Sequence, residues 1–362
     1  MGPKLKRGTK SDPGGLYMKT IFAALQKIIP EGMKSLQRRY HILRGVYYLQ
    51  PIGRRTLANE LRLTERVIRT ETEFLKQYQF LQVSSTGMTI TEEGINLLYS
   101  LQEFMHQLKD FLHVERQIKS LLGCSKVVIV PGNLEEDPIV KKDLGKVAAQ
   151  LLKEKLHSYS IIAITGGSTV AEVVDAMPSV HGYEDVLVVP ARGSLGHHVE
   201  YQSNTLTSQL ANKIGACYQL LNIPDNLSKR TLETVKHEPL IQHTLQKVLQ
   251  ADMLVFGIGN ALTMAKRRNL SDTIIDYLRR KQAVAEAFGY YFDENGKMVY
   301  TSQSVGIKLE QIKGIPFTLA VAGGASKAKA VYALTQVLEN THLVIDEGVA
   351  RELLHYNKEN PL

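Results

Sequence analysis

Four short segments set glycine beside hydroxyl or cationic residues in a way that suits an anion. They are Thr165-Gly166-Gly167-Ser168-Thr169, Ala191-Arg192-Gly193, Gly257-Ile258-Gly259 and Ala322-Gly323-Gly324-Ala325-Ser326-Lys327. Glycine lets the main chain approach a ligand closely, and a helix that starts at such a turn offers unpaired N–H groups at the positive end of its dipole. Ser168, Thr169 and Ser326 add hydroxyl donors, while Arg192 and Lys327 add fixed positive charge. One turn of this kind says little, since tight strand-to-helix connections need glycine anyway. Four of them, two carrying a cation, point to phosphate. No GxxxxGK[ST] occurs, and no GxGxxG opens a strand-helix unit with an acidic residue at the expected distance, which disfavours nucleotide hydrolysis and dinucleotide binding. His197 and His198 are neighbours on an extended segment, so they point apart, and no Cys or carboxylate set accompanies them. No metal and no cofactor is expected.

The elements that must position these turns are legible around them. From Lys126 onward, apolar runs alternate with helical segments: 126–130, 161–165, 186–190, 218–221, 253–256, 317–321 and 343–345. That alternation predicts an α/β domain with a Rossmann-like parallel sheet covered on both faces. In such a sheet the carboxyl ends of the strands share one edge, so turns far apart in sequence can line one crevice. Tyr290-Tyr291 reads as a strand running into a hairpin turned at Asn295-Gly296.

A second kind of chemistry lies between Pro51 and Gly94. A short helix from about Arg55 to Leu61, a turn at Arg62, and a helix capped by Thr64 and running to about Tyr78 form a helix-turn-helix. Val67, Ile68, Phe74, Leu75 and Tyr78 recur at helical spacing and are expected to face inward. Arg66, Arg69, Thr70, Glu73 and Gln77 fall on the opposite face. Residues 80–83 and 88–90 flank Ser84-Ser85-Thr86-Gly87 as a small β-hairpin wing. Arginines near the start of the second helix suit a major groove, because guanidinium reaches guanine edges and phosphates alike. The expected contacts to double-stranded DNA are Arg54, Arg55, Thr64, Arg66, Arg69 and Thr70. The alternative is a small three-helix domain whose solvated basic face mediates protein contacts. Arg62 stands where such turns often use glycine, at a cost of about 1–2 kcal/mol for a left-handed non-glycine residue.

Charge follows the same division. Residues 1–80 hold 16 Lys and Arg against 6 Asp and Glu, a balance of +10 where the whole chain carries +8, so the remainder sums to −2. Met1–Tyr17 reads as a disordered lead-in or tag, and residues 18–80 keep +7 without it. The positive charge thus sits where phosphate contacts would be made. The 362 residues, 44% hydrophobic, support two domains, and the two cysteines, Cys124 and Cys217, have no metal-like spacing. With no signal peptide and no apolar run near the ~20 residues of a membrane span, a cytoplasmic protein is expected. Between them Leu97, Leu101, Phe104, Leu108, Phe111, Ile118 and Leu122 step alternately by four and three, broken only at Glu115. That seam predicts one long helix through which two copies pair. The expected organisation is a winged helix-turn-helix over 18–94, a self-association helix over 95–123 and an effector-binding domain over 124–362.

Several stretches carry a resemblance: LQRRYHILRGVYYLQPIGRR, LTERVIRTETEFLKQ, TGMTITEEG, VVPARGSLG, MAKRRN, EAFGYYFDENG and VAGGASKAKA. From about Ile21 to Leu354 the chain resembles the SorC/DeoR-type bacterial transcription regulators. The resemblance implies a repressor of a glycolytic operon, no enzyme, released from operator DNA when fructose 1,6-bisphosphate binds the C-terminal domain. It also implies a dimer to tetramer. Carried over residue by residue, it assigns the sugar phosphate to Thr165, Gly166, Gly167, Ser168, Thr169, Arg192, Gln202, Arg267, Glu286 and Lys327, with Arg268 able to stand in for Arg267. Glu286 would accept from sugar hydroxyls. Ser194 occupies a tight-turn position where the family often shows glycine. Two alternatives remain open: a regulator responding to another sugar phosphate, and an enzyme like the sugar-phosphate isomerases and deaminases that share this fold. Against the enzyme, the stretch Gly257–Thr263 lacks the Asp-Gly-His of the deaminases and offers no evident general base.

Overall fold

The computed structural model describes residues 27–359 except 109, 194–197, 224–228 and 303–304. The lead-in Met1–Tyr17, Ser194 and His197 lie outside the described residues, as does the side chain of Leu108. The chain divides into two compact units, with the boundary between Leu112 and His113.

The first unit opens with helices α1 (Pro30–Leu49), α2 (Arg54–Glu60) and α3 (Glu65–Gln77). Thr64 caps α3 as expected, its hydroxyl accepting the Val67 N–H at 3.4 Å. Arg62 takes the left-handed conformation, φ 54°, that the turn between α2 and α3 demands. Ile68 and Leu75 are buried with Ile42, Leu43, Val46 and Leu57, whereas Val67 and Phe74 are only half-buried. Tyr78 departs from expectation. It is exposed and lies with its ring 4.5 Å from Phe74, because the helix ends at Gln77 and Gln79 turns the chain away at φ 63°. Buried Glu71 receives Arg38 at 3.2 Å and Arg39 at 2.8 Å, and the Arg39 guanidinium covers the Phe74 ring at 3.4 Å. These contacts fix α3 against α1 and were not legible from the hydrophobic stripe. The wing forms from β1 (Leu81–Ser84) and β2 (Gly87–Ile90), antiparallel with Leu81 opposite Ile90, and Ile52 bridges to Met88.

The single long helix predicted over the heptad seam is two helices, α4 (Glu92–Leu108) and α5 (Phe111–Leu122). Asp110 stands at φ 53° and ends the run, a conformation no helix interior contains. Ile118 and Leu122 of the seam are already buried within this one chain, and Glu115 accepts the Ile129 N–H at 2.8 Å. The helix that was to pair two copies is therefore broken at Asp110, and its second half is engaged in its own chain.

The second unit is built on seven parallel strands: β3 (Lys126–Val130), β4 (Ile161–Ile164), β5 (Leu187–Pro190), β6 (Cys217–Tyr218), β7 (Met253–Gly257), β12 (Phe317–Ala322) and β13 (His342–Asp346). These are the seven anticipated strands, ordered β3-β13-β12-β7-β4-β5-β6, with β6 shorter than its apolar run. Alternate residues such as Ile162 and Ile164, Met253 and Val255, Leu319 and Val321 face helices α6 (Val140–Lys155), α7 (Ser168–Ala176) and α8 (Ser203–Ile214). Their neighbours Ala163, Leu254, Phe256 and Ala320 are buried too, as a sheet covered on both faces requires. Burial pushes the Cys124 thiol up to about 12, against the pull of Lys119, so it behaves as a core residue.

The unit also contains a second, antiparallel sheet and further helices. Helices α9 (Lys229–Lys236) and α10 (Pro239–Leu249) precede β7, and α11 (Ala261–Arg267) and α12 (Asp272–Arg280) follow it. The sheet comprises β8 (Gly259–Asn260), β9 (Ala285–Ala287), β10 (Tyr290–Phe292) and β11 (Met298–Thr301) in the order β11-β10-β9-β8. The β10–β11 hairpin turns with Gly296 at φ 76°, as its Asn-Gly pair predicts. Helices α13 (Leu309–Ile312), α14 (Ala328–Thr335) and α15 (Glu347–Glu359) complete the unit. Among the described residues no helix is long and apolar enough to cross a membrane.

Candidate functional site

Strands β12, β7, β4 and β5 are consecutive neighbours in the sheet and all parallel. The four glycine turns follow their carboxyl ends, so they share one edge, as the sequence required. At the end of β4, Gly167 adopts φ 128° and N-caps α7 without any side-chain cap. A Cβ on Gly167 would meet nothing within 4 Å, so this side of the turn is open. Gly166 has a different reason to be glycine. A Cβ there would stand 2.5 Å from the Tyr201 carbonyl and 3.1 Å from the Ser203 N–H. The segment bearing Gln202 thus lies directly on the turn, and Gly167 donates to the Tyr201 carbonyl at 2.8 Å. Thr165 is buried at 6% exposure, and its hydroxyl has no hydrogen-bond partner among the described residues. A buried hydroxyl without a partner costs about 1–3 kcal/mol, and a ligand oxygen would remove that cost. Thr169 is buried one residue into α7, and Ser168 is half-buried at its first turn.

Arg192, after β5, is buried at 3% exposure and stands 3.9 Å from a carboxylate oxygen of Glu286 on β9. The same Glu286 oxygen accepts from Arg268 at 2.7 Å and from the Gly289 N–H at 2.7 Å. Phe288 (φ 56°) and Gly289 (φ 86°) make a two-residue turn of the hairpin type, which delivers that N–H. A Cβ on Gly289 would stand 2.5 Å from Ser302 Oγ and 2.9 Å from Arg192 Nη1. Glu286 is thus already held by two arginines and a backbone donor. Of the adjacent pair at the end of α11, the C-cap Arg268 is the buried partner of Glu286, and Arg267 is exposed. Arg267 lies close enough to Lys327 to depress its pKa.

The turn after β12 also departs from expectation. Its backbone donors face protein carboxylates and an amide: Gly324 N–H goes to Asp346 at 2.7 Å, Ala325 N–H to Asn133 at 3.3 Å, and Ser326 N–H to Glu135 at 3.1 Å. The Ser326 hydroxyl, expected as a donor to phosphate, also goes to Glu135. Burial lifts the Asp346 carboxyl above its ordinary range, opposed by N–H groups of Leu134, Val349 and Gly324 and by Lys327. Lys327 is half-buried, and its pKa is lowered, chiefly by desolvation and then by Arg267, with Lys141 acting the same way; Asp346 and Glu135 oppose. Lys141 reaches toward the Tyr201 ring at 5.8 Å, which ties the Lys327 turn to the segment over Gly166. The arrangement can receive anions at two turns: among the described residues the first meets no side-chain carboxylate, and the second holds that of Glu135. Asn260 caps α11, its side-chain oxygen accepting the Thr263 N–H at 3.2 Å. No cluster of three or more His, Cys, Asp or Glu suited to a metal occurs among the described residues.

In the first unit the polar face of α3 is exposed at Arg66, Arg69, Thr70, Glu73 and Gln77. Arg66 and Arg69 enter no ion pair among the described residues, so both guanidinium groups are available. Arg54 is engaged by Glu73, and Arg55 lies 3.7 Å from Glu65. Thr70 bonds back to the Arg66 carbonyl at 3.1 Å.

The profile of the Sugar-bind family, a sugar-binding domain, matches residues 106–355, and that of the CggR N-terminal DNA binding domain matches residues 35–105. The chain is 40% identical over 338 residues to the central glycolytic genes regulator of Priestia megaterium, covering 93% of this chain and 99% of that protein. It is 39% identical over 337 residues to the regulator of the same name in Bacillus subtilis, again 93% and 99%. A crystal structure from Enterococcus faecalis assigned to the SorC family of transcriptional regulators superimposes with a TM-score of 0.63 at 38% identity, covering 67% of this chain and 99% of that one. The full-length sorbitol operon regulator SorC of Klebsiella pneumoniae, 19% identical, shares the fold at a TM-score of 0.63 over 86% of this chain and 96% of its own. With a DNA-binding domain followed by a sugar-binding domain on a seven-stranded parallel sheet, the chain belongs to the SorC family of transcriptional regulators and, within it, to the central glycolytic genes regulators.

Proposed function

We propose that the chain represses a glycolytic operon, binding double-stranded operator DNA through α3 and the wing and releasing it when fructose 1,6-bisphosphate fills the turns of the second unit. The observation that carries this reading is the pair of anion-receiving turns on β4 and β12. The first offers an open helix N-terminus and the unpartnered Thr165 hydroxyl; the second offers Lys327 with Arg267 near it. Only β7 lies between the two strands, so the turns stand roughly 10 Å apart at about 4.8 Å per strand. A hexose phosphorylated at both ends spans such a gap, and a monophosphate satisfies one turn alone. In this reading Arg192, Gln202 and Glu286 complete the site. Arg66 and Arg69 contact DNA, with Arg54, Arg55, Thr64 and Thr70 flanking them. Two half-sites require two such modules, so the acting species is a homo-oligomer, dimer or tetramer, in the cytoplasm.

A thermal-shift panel of phosphorylated sugars tests the effector. Fructose 1,6-bisphosphate at about 100 times its Kd adds about 2.7 kcal/mol of stability, with no product formed. Fructose 6-phosphate, glucose 6-phosphate and inorganic phosphate at the same concentration give smaller shifts. An equal shift with a monophosphate moves the assignment to another sugar phosphate, and turnover of any of them supports an enzyme instead.

A further inference from the structure

The loop at residues 131–139 leads from β3 into α6 and lies across the turn that carries Lys327. Its attachment is dense. Gly132 N–H goes to Glu347 at 2.9 Å and Leu134 N–H to Asp346 at 2.8 Å. Asn133 accepts from Ala325, and Glu135 takes both the N–H and the hydroxyl of Ser326. Three glycines make room for it. A Cβ on Gly324 would stand 3.0 Å from the Glu135 carboxylate, one on Gly323 3.1 Å from Leu134, and one on Gly348 2.7 Å from Asn133. The glycines of this turn therefore admit the loop, and the anion that the Ser326 donors hold is the carboxylate of Glu135.

We propose that Glu135 is a built-in competitor for the phosphate at this turn, so that a phosphate gains the Ser326 N–H and hydroxyl only when the 131–139 loop lifts away. The proposal rests on the reading of the crevice as a sugar-phosphate site and adds a regulatory residue to it. A carboxylate with one negative charge is exchanged for a phosphate with nearly two, placed against Lys327 and Arg267. The same donors serve both acceptors, so the two states exclude each other. The loop's far end runs directly into α6, whose Lys141 is held by Glu172 at 3.1 Å. An effector that must first displace Glu135 binds with its affinity reduced by the fraction of molecules in which the loop is already open.

The test is calorimetric titration of the full chain and of Glu135→Gln with fructose 1,6-bisphosphate and, separately, with inorganic phosphate. Glutamine keeps an acceptor for Ser326 but loses the charge. If the loop is open in on the order of a tenth of molecules, the variant binds both probes roughly tenfold more tightly. Hydrogen exchange on the unaltered chain gives a second readout: amides of 131–137 exchange faster once fructose 1,6-bisphosphate is bound. Equal or weaker binding of both probes by Glu135→Gln, or protection of those amides on binding, overturns the proposal. The inorganic phosphate arm separates the two readings. Tighter phosphate binding by the variant, with no binding of fructose 1,6-bisphosphate by either protein, upholds the competitor and sinks the effector.

Discussion

Lys327 gains its role from its surroundings. Burial and the nearby Arg267 hold its pKa below the ordinary 10.5, so in the free protein it begins to lose its proton at a pH where a solvated lysine keeps it. A phosphate dianion beside it favours the charged form and raises the pKa again. The sign follows from linkage: binding takes up protons in the window below 10.5, and affinity falls as pH rises through the depressed value. Phosphate itself is fully ionised there, its second pKa being about 6. Titration calorimetry in buffers of different ionisation enthalpy measures this uptake, and Lys327→Gln abolishes it; no uptake in the parent chain places the phosphate elsewhere. The residue types at this site were legible from the GGASK stretch. Which of Arg267 and Arg268 meets Glu286 was not, because neighbours on a helix differ by about 100° in direction and sequence does not say which face β9 will occupy. The hold of Glu135 on Ser326 was also hidden, since an acidic loop residue reads as solvated until a partner is placed against it.

Among elements, the seven strands and their order of glycine turns were legible because parallel strands buried on both faces read as continuous apolar runs. Helix α3 was legible from its cap and stripe, up to the last residue, Tyr78. The break between α4 and α5 was not, because Asp110 has an ordinary side chain and only its backbone records the reversal. The turn after β4 allows a direct test of how an element positions the site. Gly166→Ala forces a Cβ onto the Tyr201 carbonyl and the Ser203 amide, both backbone atoms that cannot rotate aside. The expected loss is about 1–3 kcal/mol of stability in the second unit, with weaker effector binding as the Gln202 segment is pushed off the turn. Denaturant unfolding followed by effector titration measures both. A variant with parental stability and affinity shows that the contact does not position the site.

At the scale of the whole chain, charge and chemistry are divided between the two units. The first carries the basic excess and the exposed Arg66 and Arg69 of α3. The second carries the sheet edge where the glycine turns gather. An effector can shift DNA occupancy only by its difference in affinity between DNA-competent and DNA-incompetent states. A coupling of about 1–3 kcal/mol, typical of such systems, corresponds to about 5–150-fold in DNA affinity. The reciprocal also holds: DNA must weaken effector binding by the same factor. The direct measurement is the anisotropy of a labelled duplex, selected by this protein from random DNA, titrated with fructose 1,6-bisphosphate up to concentrations that saturate the thermal shift. The bound fraction is expected to fall as the sugar saturates, and Lys327→Ala needs at least about tenfold more sugar for the same release. A bound fraction that stays constant or rises at saturating sugar contradicts the account.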